Sequence, residues 1–353
     1  MSKPLLKPLS DDLSSQWDRW VDESENSTLY HYNDWLHAMA AHSATQLIPL
    51  VIFRGSSVAG VFPVFLKKTA FLKFIFSPPP GCAVPYLGPV FLSQNMKTKD
   101  LESFKLDVIS AFNDFYRSHK IDFARIITVP GLTDTRPFIW NGFTARTLYE
   151  YRINIPEEEN DLILSFQSET RTKIRRALKY EDLEIVHSSN KSWKEVFRLT
   201  NERYHEQGIN WLVSSSYVEQ LINSQIAGHF QSWAAQLKGK TITGMLSFCY
   251  KDTFHEWIGG INPTERISGV NELLHWKMMQ SAMSNHCKRY DLGGANTPHL
   301  SKPKSKYSPV ANLYFEFKKR NLKSRLLEPL FKIDWAKKYY KKIRSEKNKN
   351  KNV

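Results

Sequence analysis

The stretch from Thr253 to Asn271, TFHEWIGGINPTERISGVN, constrains the fold more tightly than any other part of the chain. Phe254 to Ile261 alternates in character and carries β-branched and aromatic residues, which is the pattern of a strand. Gly259, Gly260, Asn262 and Pro263 end it. Arg266-Ile-Ser-Gly269-Val-Asn271 then opens an amphipathic run in which Leu273, Leu274, Trp276, Met278 and Ala282 recur at helical spacing. A strand, a glycine-bearing turn and a helix N-terminus together make an anion site. The first backbone N–H groups of the helix have no partners there, and its dipole favours negative charge. Arg266, Gly269 and Asn271 are therefore candidates to hold an anionic ligand.

At 353 residues the chain is long enough for two domains, each with its own core. The first half reads as helices at Ser10–Trp20 and Thr28–Ala41, then a hairpin, Leu47–Phe53 and Ser57–Leu66, turned by Arg54-Gly55-Ser56. Phe71–Ser77 is a further strand. The prolines of Pro78–Pro89 exclude regular structure there. A helix at Lys99–His119, a strand at Phe123–Val129, a turn-rich Asp134–Phe143 and a strand at Tyr149–Ile155 follow. The second half is expected to hold one helix over Leu162–Tyr180, a strand at Leu183–His187, and helices at Trp193–Gln207 and Ser216–Ala227. A three-stranded meander ends at Ile261, the central helix runs from Val270 to His286, and Tyr290–Leu292 is a short strand. His299–Pro309, rich in Ser, Pro and Lys, reads as a loop before a strand at Asn312–Lys318. The two halves thus share one coarse order, and the division falls near residue 155.

The formal charge of +14 is concentrated at one end. Residues 318–353 carry fourteen Lys and Arg against three Asp and Glu, a net +11 that leaves +3 for the rest. This distribution argues against a uniformly basic nucleic-acid binder. In the tail, residues 326–353, Leu327, Phe331, Trp335, Tyr339 and Ile343 recur every fourth position among lysines. A basic amphipathic helix of that kind suits an anionic membrane surface, with docking on the protein itself or on nucleic acid as competing uses. No apolar run reaches the length of a membrane span, and MSKPLLKPLSDD lacks the apolar core of a secretory signal. Cys82, Cys249 and Cys287 are scattered and lack metal-site spacing. A reduced, cytoplasmic protein, peripheral on the inner face of the membrane through its tail and without a bound metal, is the expectation.

Several short motifs occur in a telling order: Tyr86-Leu-Gly-Pro89-Val90, Asp134-Thr-Arg-Pro-Phe138, Trp140-Asn-Gly-Phe143, and Tyr149-Glu-Tyr151. Ser168-Glu-Thr-Arg171-Thr-Lys-Ile-Arg175-Arg176, Tyr290-Asp-Leu-Gly293-Gly294 and Phe317-Lys318-Lys319 complete the set. In this order they resemble the Fem-type, BioF-like or CelD-like branch of the GNAT acyltransferase superfamily, and the Arg266–Asn271 segment resembles that superfamily's pyrophosphate loop. Asn271 stands where the loop prefers Gly or Ala, and Arg320-Asn321 follows the Phe-Lys pair where the family often has Phe-Gly. The coiled-coil arm of some Fem enzymes is absent from residues 155–317.

The resemblance implies an α/β fold of two tandem GNAT-like domains with mixed, largely antiparallel sheets flanked by helices. Residues 1–155 would orient the acceptor and residues 156–325 would carry the active cleft. It implies N-acyl transfer, acetyl or aminoacyl, to an amino group of a nucleotide- or lipid-linked cell-envelope precursor. Acyl-CoA or aminoacyl-tRNA would be co-substrate, with no permanently bound cofactor. A non-catalytic twin-GNAT protein that binds an envelope precursor or RNA is the alternative. Lys318 would face developing negative charge, Phe317 would lie beside the donor with Arg266, Gly269 and Asn271, and Arg171 and Arg175 would meet acceptor phosphates. Glu256, Tyr290 and Asp291 are the acid–base candidates. On a strand His255 and Glu256 must face opposite ways, so one of them at most lines a given face.

Overall fold

The computed structural model describes residues 5–92, 96–188, 192–261 and 267–326. Arg266 and the apolar stripe of the tail lie outside these residues. The first half contains β1 (Leu5–Pro8), α1 (Trp17–Glu23), α2 (Asn33–Ser43), β2 (Gln46–Arg54), β3 (Ser57–Lys68), β4 (Lys73–Ser77) and β5 (Val90–Phe91). It continues with α3 (Thr98–Ser118), β6 (Phe123–Ile127), α4 (Arg136–Trp140) and β7 (Thr144–Asn154). The second half contains α5 (Glu159–Ser165), α6 (Ser168–Ala177), β8 (Leu183–Ser188), α7 (Trp193–Glu206), α8 (Ser215–Ile222), β9 (Phe230–Leu237), β10 (Lys240–Tyr250) and β11 (Thr253–Ile261). It ends with α9 (Val270–Ser284), β12 (Arg289–Gly294), α10 (Pro298–Ser305) and β13 (Val310–Arg320). None of the described helices is long and apolar enough to cross a membrane.

The expected class holds: the sheet is mixed and largely antiparallel. It is also continuous, in the order β1-β2-β3-β4-β6-β13-β7-β12-β11-β10-β9-β8, with β5 beside β3. Its two parallel pairs, β4–β6 and β11–β12, are each joined by a long helix, α3 and α9, as parallel strands require. The last strand of each half is exchanged. β13 lies between β6 and β7, with Glu316 opposite Ile127 on one side and Arg146 on the other, while β7 pairs with β12. A division at residue 155 therefore does not divide the sheet, and Lys318 stands among strands of the first half.

Both faces of the sheet are covered. Phe104, Val108 and Phe112 of α3 pack on Ile75, Ala124 and Ile126, and α9 sets Leu274, Met278 and Met279 over Phe254, Tyr290 and Ile153. On the opposite face one core spans the halves, with Trp17, Trp35 and Tyr30 meeting Phe230, Phe248 and Tyr217. Two local expectations fail. The run read as one helix breaks at Phe166, where an extended residue turns its ring inward beside Tyr307 and Trp276, so α5 and α6 are separate. The Ser/Pro/Lys loop forms α10, because Thr297 caps it by accepting from Leu300 N–H and Pro298 sits in the first turn.

The parallel pairs differ at their open ends. Beyond Ser77–Ile126 the first half's own chain enters the gap: the Leu87 N–H donates to the Ile127 carbonyl at 2.8 Å, and Leu87 bridges Thr128 in parallel. Beyond His255–Asp291 the pairing of β11 with β12 stops, although the strands run on to Ile261 and Gly294. A bulge in β11, where the register shifts between Leu246 and Ser247 of β10, accompanies that divergence.

Candidate active site

A cavity of about 620 Å³ lies where the halves meet, with Glu150, His255, Glu256, Asp291, Tyr314 and Glu316 in its wall. Strand alternation explains its polar side. Leu148, Glu150 and Arg152 of β7 share one face, and across the ladder Tyr314 and Glu316 of β13 share it too. The exchange of β13 is what brings Glu316 and the Asp291 of β12 to one chamber.

Asp291 is buried and saturated. Its Oδ2 accepts from Arg152 Nε at 2.9 Å and from the Tyr86 hydroxyl at 3.2 Å, and its Oδ1 accepts from the Gly293 N–H at 2.9 Å. Burial opposes its charge, but Arg152, His255 and the hydrogen bonds from Glu150 and the Gly293 N–H outweigh it and hold its carboxyl below the usual range. His255 Nδ1 lies 3.6 Å from Asp291 Oδ2, yet burial lowers the imidazole to about 4, so it is neutral at pH 7. Glu150, two residues from Arg152, is 1% exposed, and its Oε2 has no partner. Burial and the neighbouring Asp291 charge push its carboxyl well above the usual range.

Glu256 faces away from His255, as alternation requires. Its Oε1 accepts from the Tyr290 hydroxyl at 2.8 Å and meets His275 Nδ1 of α9 at 2.6 Å. Burial and then Glu256 push the Tyr290 phenol up, so it stays a donor. Of the three acid–base candidates the structure joins Glu256 and Tyr290, and sets Asp291 on the other side of β12.

The remaining candidates sit elsewhere. Lys318 Nζ lies 2.6 Å from the buried Glu316 carboxylate, which Arg125 also reaches at 2.6 Å. The negative charge that Lys318 faces is thus the protein's own. Phe317 is fully buried and stacks on Phe138 at 3.9 Å in the first-half core, which removes it from any donor surface. Arg171 donates to the Leu164 and Phe166 carbonyls at the end of α5, Arg175 is exposed, and neither lines the cavity. Asn271 Oδ1 accepts from Thr243 Oγ1 of β10 at 3.4 Å.

Gly269 precedes α9 with φ +90°, and a Cβ there would come 2.3 Å from the Lys173 carbonyl oxygen of α6. Close packing of α6 therefore accounts for this glycine. The first turn of α9 already holds a carboxylate, Glu272, which pairs with Lys306 at 2.8 Å. Sequence reasoning missed Glu150, Arg152 and Glu316 as a set. The available signal was a Glu and an Arg two apart in a strand, hence on one face.

Residues 165–300 match the family model of an acetyltransferase (GNAT) domain. No curated protein matches the sequence. Among solved structures, FemX superposes with a TM-score of 0.69 at 14% identity, over 92% of this chain and 98% of that one. The C-terminal domain (DUF2156) assigned to a lysylphosphatidylglycerol synthetase of Agrobacterium fabrum gives 0.56 at 11%, over 88% and 93%. A tandem GNAT protein from the clavulanic acid biosynthesis pathway gives 0.54 at 10%, over 90% and 98%. The chain has the tandem-GNAT acyltransferase fold, and the resemblance to the Fem-type branch holds at that level.

Proposed function

We propose that the protein is an N-acyltransferase that moves an acetyl or aminoacyl group from acyl-CoA or aminoacyl-tRNA to an amino group of a cell-envelope sugar or peptide precursor. The observation that carries this reading is the divergence of β11 from β12 after His255 and Asp291, at the wall of the cavity. Facing backbone groups beyond that point are free to hydrogen-bond an extended donor arm as an added strand would. The same gap in the first half is filled by its own Leu87 segment, which favours a single active cleft, in the second half.

Transfer needs the amine and the acyl carbon in line. Such positioning is worth on the order of 7 kcal/mol or more, so no strong base is required. Asp291 and Arg152 form a fixed pair in the cavity wall, and the Glu256–Tyr290–His275 cluster offers hydrogen bonds on the other side of β12. The FemX likeness and the lysylphosphatidylglycerol synthetase likeness motivate an envelope precursor or lipid-linked acceptor. In this reading the basic tail rests on an anionic membrane surface.

One observation favours aminoacyl-tRNA as donor. The start of α9 is packed against α6 at Gly269 and carries Glu272, whose charge disfavours a pyrophosphate there, while a tRNA ester needs none. The deciding experiment incubates the protein with labelled acyl-CoAs and with aminoacyl-tRNAs, each against amino-sugar and peptide precursors. We expect label in an amide with one donor class. A precursor retained in native mass spectrometry without transfer from any donor selects the non-catalytic reading instead.

A further inference from the structure

Of the buried acids in the cavity wall, Asp291 pairs with Arg152 and Glu316 with Arg125 and Lys318, but among the described residues Glu150 forms no ion pair. Its surroundings come from four elements. Asp291 and Gly293 of β12 lie beside it, and a Cβ placed on Gly293 would stand 4.0 Å from Glu150 Oε1 and 3.5 Å from Lys304 Nζ. Lys304 of α10 spends a proton on the Gly294 carbonyl at 2.9 Å. Arg152 is committed to Asp291 and Tyr86. Tyr30, Tyr86 and Tyr314 close the apolar side, and His255 is neutral. Every cation near Glu150 thus has a closer partner, and its nearest acidic neighbour is ionised. Two carboxyl groups at one buried site cannot both carry charge, and the one without an arginine keeps the proton.

We propose that Glu150 is the proton donor of the cavity, delivering its proton to the leaving group of the acyl donor. This rests on the acyl-transfer reading. As the amine nitrogen attacks, the C–N bond forms and the C–S or C–O bond to the donor breaks. The departing sulfur or oxygen takes the Glu150 proton with its electron pair. The nitrogen, left with one proton too many, returns it to the Glu150 carboxylate, so the protein ends as it began. Burial and Asp291 keep Glu150 protonated until a strongly basic thiolate or alkoxide develops beside it, and they drive prompt recapture of the proton from the nitrogen. General acid assistance of this kind contributes about 10²- to 10⁴-fold.

Glu150→Gln keeps shape and hydrogen bonding but has no proton to give. With a donor whose leaving group is an alkyl thiol or an alcohol, the variant's kcat should fall by about 10²-fold or more. With an aryl thioester, whose leaving group is stable as an anion, it should stay within about threefold, since no proton transfer is needed there. The alkaline limb of the wild-type pH profile should disappear in the variant. Equal losses with both donors would make Glu150 a positioning residue and overturn the proposal. Wild-type infrared spectra at pH 7, minus those of the variant, should show the carbonyl stretch of a protonated carboxyl. Its absence would overturn the proposal whatever the activity. A wild-type protein that transfers from no donor sinks the acyl-transfer reading, and proton delivery with it, whereas an active one with an unaffected variant sinks Glu150 alone.

Discussion

His255 stacks on Phe248 at 4.7 Å and lies beside the Asp291 carboxylate, yet it stays neutral because burial costs more than that one charge returns. Its folded value, about 4, lies below the 6.5 of an unfolded histidine. Between those values the unfolded chain binds the proton and the folded one does not. The stability is therefore complete above pH 6.5 and is lost as pH falls toward 4. By pH 4.5 the loss is roughly 2 to 3 kcal/mol from this residue. His31, also buried and also at about 4, should add a similar amount. Urea denaturation at pH 7 and pH 4.5 checks this: His255→Phe should lose about 2 to 3 kcal/mol less than wild type between the two. Equal losses would mean that His255 already carries charge when folded. At this scale the sequence exposed Glu256, Tyr290 and Asp291, because they flank the strand-to-helix junction. It hid Glu150, whose neighbour in space is 141 positions away, and it misassigned Phe317, whose alternation with Lys318 turns it into the core.

Elements were legible where one period ran unbroken, as in α3, α9 and the β9–β11 meander. The single helix expected over Leu162–Tyr180 failed because an amphipathic count cannot see that Phe166 is needed beside Tyr307 and Trp276. α10 was hidden by its composition, although a capping Thr297 followed by Pro298 was present to mark a helix start. The junction at Gly269 has a sharper test. Gly208 and Gly269 both have positive φ, but an added Cβ at Gly208 meets nothing within 4 Å while at Gly269 it meets the Lys173 carbonyl at 2.3 Å. Gly208→Ala should therefore cost only the backbone term, about 1 kcal/mol. Gly269→Ala should cost roughly 2 kcal/mol more, because α6 must shift away from α9. Thermal or urea melts of the pair compare them directly. Similar costs would mean that α6 yields easily, and would leave the start of α9 open to an anionic donor.

At the scale of the molecule, the coarse repeat visible in the sequence is real, but its two copies are not separable. Each half runs parallel strand, long helix, parallel strand, short proline-started helix, last strand: β4, α3, β6, α4, β7 and β11, α9, β12, α10, β13. No pattern along the chain reveals that the last strands change places, since β7 and β13 would look the same in either position. The consequence is physical. Residues 156–353 alone would leave β12 without β7, and β13 without either β6 or β7, while residues 1–155 alone would expose the edge of β6. Unpaired edges beside the buried charges Asp291 and Glu316 leave ions such as Arg152 without partners, and each broken buried pair costs about 3 to 5 kcal/mol. That is comparable to the whole stability of an ordinary domain, on the order of 5 to 15 kcal/mol. Expressed separately, the two halves are expected to be insoluble or to lack cooperative unfolding. Co-expressed from one cell they should associate into a complex that unfolds as one unit in calorimetry. Independent, cooperative melting of residues 156–353 would show that the shared sheet is not what holds the second half, and that the cavity's polar wall can assemble without β7.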